Sequence, residues 1–254
     1  MKVDFEALFG PQVGQGSQAT VYAKGRYAVK LYRADYPKTS VFSEAYIMAN
    51  LERVNFPGPR VHEVLLAHGR YGLRMDLVQG KMMSEWLRIP EKCKETLDTL
   101  VDLQCRLQKF DIAWAPDLKQ RFKDDLERNA GLTVDDKKKF GRILDELPDG
   151  RALCHCDFHS GNVFFDGSEY TVIDLLQVSR GDPAADAACS YVSYTFIQPD
   201  LAEYYLNRYC AVSGISEKCV RQWLAVYAAT LLGQVPEHLA GIIDRFIAMD
   251  EDMK

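Results

Sequence analysis

The pattern of apolar and polar positions changes character twice along the chain. From residue 8 to residue 33 the two kinds are mixed around glycines and end in Tyr27-Ala28-Val29-Lys30-Leu31-Tyr32, which predicts successive antiparallel strands. From Lys38 to Val54 the apolar positions Val41, Ala45, Ile47, Met48 and Leu51 fall near helical spacing, and Asn55-Phe56-Pro57-Gly58-Pro59 stops that helix. Two further strands are predicted over 60–67 and 71–77, parted by a turn at His68-Gly69-Arg70. Beyond Gly80 the periodicity is helical, with helices predicted over 91–110, 118–129, 134–147, 183–197, 201–212, 217–232 and 236–249. The stretch 152–176 stands apart from them. There the polar loop His155 to Asn162 leads into Val163-Phe164-Phe165 and Tyr170-Thr171-Val172-Ile173, joined at Asp166-Gly167-Ser168 as a hairpin. No repeat or low-complexity segment occurs, so the pattern predicts an α+β chain of two lobes: a small antiparallel β-rich lobe with one helix over 1–78, and a larger, mainly helical lobe over 79–254. A ligand cleft between two such lobes is the ordinary expectation.

Composition narrows the class of partner. With 254 residues and 47% hydrophobic content the chain can bury one large core or two smaller ones. A formal net charge of −5 and a pI near 5.6 leave no global basic field to hold nucleic acid or an anionic membrane. The seven cysteines show neither a C-x-x-C pair nor a disulfide-scaffold spacing, which points to a reducing cytoplasm. Asp4 and Glu6 sit where a signal peptide is apolar, and no apolar run is long enough for a bilayer. The chain is therefore expected to be neither exported nor membrane-spanning, and its acidic balance suits a cationic or neutral partner.

Three groups of residues carry chemistry. Gly14-Gln15-Gly16-Ser17-Gln18-Ala19-Thr20-Val21 lies between two predicted strands, not between a strand and a helix, a context that fits a glycine-rich hairpin laid over nucleotide phosphates better than a dinucleotide-binding turn. Ala19 stands where a third glycine is usual, and taken alone the run is also an ordinary small-residue β-turn. Lys30, on the third predicted strand, can reach back under that loop to phosphate, oriented by Glu44 on the following helix. The third group is His155-x-Asp157-x-x-x-x-Asn162 followed by Asp174 at the end of an apolar run. Phosphoryl transfer needs a carboxylate to orient and accept the proton of an attacking hydroxyl, for which Asp157 is the candidate. It also needs oxygen ligands for Mg²⁺, for which Asn162 and Asp174 are the candidates, since hard cations choose oxygen.

These residues resemble the protein-kinase-like superfamily and, within it, the aminoglycoside phosphotransferase and choline kinase group. The resemblance spans nearly the whole chain. The discriminating position is His159: kinases of the eukaryotic protein type generally carry a lysine there, whereas this chain has His-Cys-Asp-Phe-His-Ser-Gly-Asn, as small-molecule kinases read H-x-D-x-H-x-x-N. Val172-Ile173-Asp174 followed by Arg180-Gly181-Asp182-Pro183-Ala184-Ala185-Asp186 is similar to the group's I-D … G-D-P-x-x-D segment. The resemblance implies a bilobal protein-kinase-like fold and transfer of the γ-phosphoryl of ATP, with Mg²⁺, to a hydroxyl of an aminoglycoside-like antibiotic or an amino-alcohol or sugar metabolite. It also implies that the backbone of Met75-Asp76-Leu77-Val78-Gln79-Gly80 binds adenine, chiefly through Asp76 and Val78. Asp182 and Pro183 would start a helix as N-cap and first turn, and Asp186 would brace the catalytic loop.

Two alternatives follow from the departures. A protein kinase acting on a macromolecule loses support because Leu175-Leu176 replaces the usual Phe-Gly and no Ala-Pro-Glu segment occurs. A non-catalytic nucleotide-binding module is the other, against which every expected catalytic position is occupied. Cys154 and Cys156 lack zinc-ligand spacing and are expected to fill packing positions. The acids Glu203, Glu237, Asp244, Asp250, Glu251 and Asp252 could attract a cationic acceptor or simply solvate a helix surface, and Tyr205, Tyr209, Trp223 and Tyr227 could cage an ammonium or form core.

Overall fold

The computed structural model describes residues 3–248, so Met249, Asp250, Glu251 and Asp252 lie outside the described residues. In chain order the elements are α1 (Phe5–Phe9), β1 (Gln12–Gln15), β2 (Ala19–Lys24), β3 (Tyr27–Tyr32), α2 (Lys38–Glu52), β4 (Val61–Ala67), β5 (Arg70–Asp76), β6 (Lys81–Met82), α3 (Met83–Leu87) and α4 (Pro90–Leu107). They continue as α5 (Leu118–Arg128), α6 (Val134–Glu146), β7 (Ala152–Cys154), β8 (Val163–Phe165), β9 (Tyr170–Val172), β10 (Ser179–Gly181), α7 (Pro183–Ile197), α8 (Pro199–Ser213), α9 (Glu217–Leu231) and α10 (Glu237–Ala248). Among the described residues no helix is long and apolar enough to cross a membrane. The chain divides into two compact units, Met1–Glu85 with Gly161–Gln177 and Trp86–Ser160 with Val178–Lys254.

The first unit is built on a five-stranded antiparallel sheet in the order β1-β2-β3-β5-β4. β3 is central, and Lys30 is in register with Val21 on one side and Leu73 on the other. Alternation sends Val29 and Leu31 to one face, where they cluster with Tyr22 beneath Phe5 and Phe9 of α1. Ala28, Lys30 and Tyr32 point to the other face. α2 packs against β4 and β5 and buries Val41, Glu44, Ile47, Met48 and Leu51. A carboxylate therefore occupies a position in the apolar stripe, where periodicity had pointed to Ala45. The hairpin β8–β9 pairs with β6, and the turn of 3₁₀ helix Leu175–Gln177 packs on α2. Those contacts carry 161–177 into the first unit, although the sequence pattern placed the division after residue 78 and left this segment with the helices. Gly80 is required at the entrance to β6: its φ is 95°, and a Cβ there would lie 2.2 Å from the Phe165 carbonyl oxygen.

In the second unit α7 is nearly all buried, with Ala184, Ala185, Ala187 and Ala188 letting α8, α9 and β7 approach closely. Trp223, Tyr194, Tyr205, Tyr209 and Phe122 are the largest buried side chains around it, each contributing about 1.5–3 kcal/mol by leaving water. Asp182 is the N-cap of α7, accepting from the Ala184 N–H at 2.9 Å with Pro183 in the first turn, and its second oxygen accepts from Trp223 Nε1 at 3.0 Å. β10 pairs antiparallel with β7, so Ser179–Gly181 runs beside the strand that precedes the polar loop carrying Asp157.

Candidate active site

In the first unit the ammonium of Lys30 lies 2.8 Å from Glu44 Oε1 and 2.9 Å from Asp174 Oδ1. Helix α2 fixes Glu44, which is 2% exposed, and the phenol of Tyr32 donates to its other carboxylate oxygen, Oε2. Burial pulls the Lys30 pKa down, but the charges of Glu44 and Asp174 outweigh it and hold the group above the ordinary lysine value. The lysine is thus charged, partly desolvated and held by two carboxylates of different character. Glu44 is buried, whereas the Asp174 side chain is 47% exposed.

Asp174 has a left-handed backbone, φ 60°, which breaks off β9 and turns the carboxylate out of the hairpin. The Ile173 N–H donates to the Asn162 carbonyl at 2.9 Å, tying the turn Ser160–Asn162 to the end of β9. Asn162 is itself 8% exposed. A carboxylate that already holds a cation, joined through the backbone to a residue carrying a carboxamide oxygen, is a donor set that suits Mg²⁺.

In the connector the Asp76 N–H donates to the Arg60 carbonyl and the Leu77 N–H to the Arg26 carbonyl, both at 3.0 Å. The Asp76 carboxylate is taken by His62 Nε2 at 2.7 Å, a partner no sequence pattern indicated. In the glycine-rich turn the Gly16 N–H closes on the Ala19 carbonyl at 2.9 Å. Neither Gly14 nor Gly16 has a positive φ, and a Cβ at either would meet nothing nearer than 3.6 Å. The fold itself does not demand glycine there, so the missing side chains leave space above the turn.

In the second unit Cys156, in the loop that carries Asp157, has a left-handed conformation, φ 63°, its N–H donating to Asp186 Oδ1 at 2.7 Å. The other oxygen of Asp186 accepts from Gln104 Nε2 and Gln108 Nε2, each at 2.8 Å. The carbonyl oxygens of those two amides in turn accept from Tyr205 and Tyr209 hydroxyls at 2.7 and 2.9 Å. This buried network sets the backbone that presents Asp157, which is partly exposed. His159 Nε2 lies 3.6 Å from Asp157 Oδ1, too far for a hydrogen bond but within ion-pair reach when the imidazole is protonated.

Beneath the loop the guanidinium of Arg121 is buried and donates to Ser179 Oγ at 2.8 Å. Burial pushes the Cys156 thiol up, but a hydrogen bond with Cys189 and the charge of Arg121 outweigh it and draw the thiol below its ordinary value. Cys154 and Cys189 are pushed well up, chiefly by burial. Among the acids considered for a cationic acceptor, Glu203 already accepts from the Tyr191 hydroxyl and pairs with Arg221 at 3.4 Å. Tyr205, Tyr209 and Trp223 are buried core.

Of the residues singled out in the sequence, Gly14, Gly16, Lys30, Glu44, Asp76, Val78, Asn162 and Asp174 belong to the first unit and Asp157 to the second. The structure brings Lys30, Glu44 and Asp174 into direct contact. Sequence reasoning missed Tyr32, Arg121, Gln104 and Gln108. A charge or amide placed at a core position of its helix was the available signal for the last three.

A sequence model of the phosphotransferase enzyme family matches residues 12–230. No protein of curated function matches by sequence. Among solved structures the chain is similar to a thermostable mutant of aminoglycoside phosphotransferase APH(4)-Ia in ternary complex with AMP-PNP and hygromycin B, with a TM-score of 0.66, 15% identity, and 93% of this chain and 90% of that one covered. It is similar to amicoumacin kinase hAmiN in complex with AMP-PNP, Ca²⁺ and Ami, with a TM-score of 0.64, 13% identity, and 95% and 87% covered. It is also similar to a choline/ethanolamine kinase family protein from Mesorhizobium loti, with a TM-score of 0.56, 15% identity, and 96% and 87% covered. At such identities the likeness is one of fold.

Proposed function

The chain belongs to the phosphotransferase enzyme family, and from that premise we propose that it is a small-molecule kinase that moves the γ-phosphoryl group of ATP, with Mg²⁺, to a hydroxyl of its acceptor. The acceptor class is an aminoglycoside-like antibiotic or an amino-alcohol or sugar metabolite. The observation that carries the reading is Lys30, held charged by buried Glu44 while also touching the half-exposed carboxylate of Asp174.

Each residue then has a task. Lys30 binds phosphate oxygens, and Glu44 keeps its ammonium aimed. Asn162 and Asp174 hold Mg²⁺, which neutralises phosphate charge when bound. The Asp76 carbonyl and the Val78 N–H meet the adenine edge, and the turn at Gly14 and Gly16 leaves phosphate room to approach backbone N–H groups. Asp157 accepts the hydrogen bond of the acceptor hydroxyl, orients it and takes its proton as the new P–O bond forms and the bond from the γ-phosphorus to the β,γ-bridging oxygen breaks, releasing ADP. Similar folds with hygromycin B or Ami bound support a small-molecule acceptor.

The test is ADP release from Mg-ATP by the purified protein across a panel of aminoglycosides, amino alcohols and sugars. At least one should raise release well above the acceptor-free rate, and chelation of Mg²⁺ should abolish it. If no acceptor in such a panel stimulates release, the small-molecule assignment is wrong.

A further inference from the structure

Tyr32 follows Lys30 by two positions on β3 and so shares its face of the sheet. It is fully buried at 0% exposure. Three contacts fix it. Its ring stacks on Tyr36 with centroids 4.7 Å apart, its carbonyl accepts from Arg70 Nε at 2.6 Å, and its hydroxyl donates to Glu44 Oε2. The ammonium of Lys30 lies 5.4 Å from the centre of the same ring. Both oxygens of Glu44 are therefore engaged, Oε1 by Lys30 and Oε2 by Tyr32. Burial first, then the neighbouring Glu44 charge, pushes the phenol pKa far up, so the hydroxyl keeps its proton and acts as a donor.

The consequence concerns competition for the lysine. Lys30 has a second carboxylate within 2.9 Å, Asp174, and a glutamate side chain with one oxygen unheld regains rotamer freedom. A phenol that pins the far oxygen of Glu44 keeps the near oxygen facing Lys30, and so biases the ammonium away from the carboxylate that is to hold metal.

We propose that Tyr32 is a positioning residue for phosphate recognition: it acts through Glu44 to set where Lys30 presents its ammonium. The proposal rests on the reading of Lys30 as a phosphate ligand. Because Tyr32→Phe keeps the ring and its stack, the variant isolates the hydroxyl.

The experiment measures by calorimetry the affinity for Mg-AMP-PNP and, separately, for adenosine, which carries no phosphate. Wild-type protein that binds no Mg-AMP-PNP would overturn the function reading itself, before Tyr32 is at issue. With binding established, Tyr32→Phe should weaken Mg-AMP-PNP roughly fivefold to tenfold, the scale of one hydrogen bond to a charged group, and leave adenosine within about twofold. In a Glu44→Gln background the same change should cost less than about twofold, because the path through Glu44 is already cut. Equal losses for adenosine and Mg-AMP-PNP, an undiminished loss in the Glu44→Gln background, or no loss in the wild-type background would each refute the positioning role.

Discussion

Each unit buries one helix carboxylate next to a functional loop or strand, and the two are satisfied in opposite ways. Glu44 of α2 meets a cation, Lys30, and a phenol. Asp186 of α7 takes its hydrogen bonds from neutral donors, namely the Cys156 N–H and the amides of Gln104 and Gln108. The contrast follows from what each must hold. In the proposed function Lys30 hands part of its charge to incoming phosphates, and one of its two carboxylate partners is the half-exposed Asp174. The catalytic loop has only to keep a left-handed turn at Cys156 in place, for which a closed set of directional hydrogen bonds is sufficient and a mobile charge is not needed.

The largest expected effect tests the neutral side. Asp186→Ala leaves a buried backbone N–H and two buried amides without their acceptor, and should cost about 3 kcal/mol or more of stability by urea or thermal denaturation. On the charged side Glu44→Gln keeps the side-chain shape and leaves Lys30 its pairing with Asp174, so stability should fall by only about 1–2 kcal/mol, while Mg-nucleotide affinity falls about tenfold. If the two substitutions cost the same stability and the same affinity, the contrast between a binding carboxylate and a bracing one disappears.

Gly16→Ala should be milder still. With no positive φ and no atom within 3.4 Å of the added Cβ, melting temperature should hold, while nucleotide affinity falls by about threefold as the methyl group meets phosphate. A fall in melting temperature of the same order as the binding loss would show that the glycine serves the fold.

The smallest effect is one of pH. Lys30 is held above its ordinary pKa of 10.5 in the folded protein, so folding favours its protonated form. That contribution is fully present below about pH 10 and fades as the pH rises through the folded value. Lys30→Met should therefore flatten the alkaline end of the stability profile relative to wild type. A wild-type profile no steeper than that of Lys30→Met would contradict the pairing.

Much of this contrast was legible before any coordinates. The helical and strand periods located α2, α4 to α10 and the main sheet, because each runs long enough to show its period. α1, β6, β7 and β10 span five, two, three and three residues, too few for a period to emerge, and they form through tertiary pairing instead. Lys30, Glu44, Asp157, Asn162 and Asp174 were named from the sequence because phosphoryl chemistry asks for such types in such an order, and the contacts of Lys30 with Glu44 and Asp174 are the part the structure shows. Tyr32 and Gln108 were not, since a tyrosine in a strand and a glutamine in a helix are ordinary until their partners are known. Arg121 was hidden for the same reason: its burial under Cys156 is a fact of packing between α5 and β10.

The most direct test of the catalytic assignment compares turnover and binding in Asp157→Asn, which keeps the shape of the loop and removes the base. Turnover with the best acceptor should fall by about 10²–10⁴-fold, while Mg-AMP-PNP affinity stays within about threefold of wild type. Turnover at the wild-type rate would show that Asp157 is not the catalytic carboxylate.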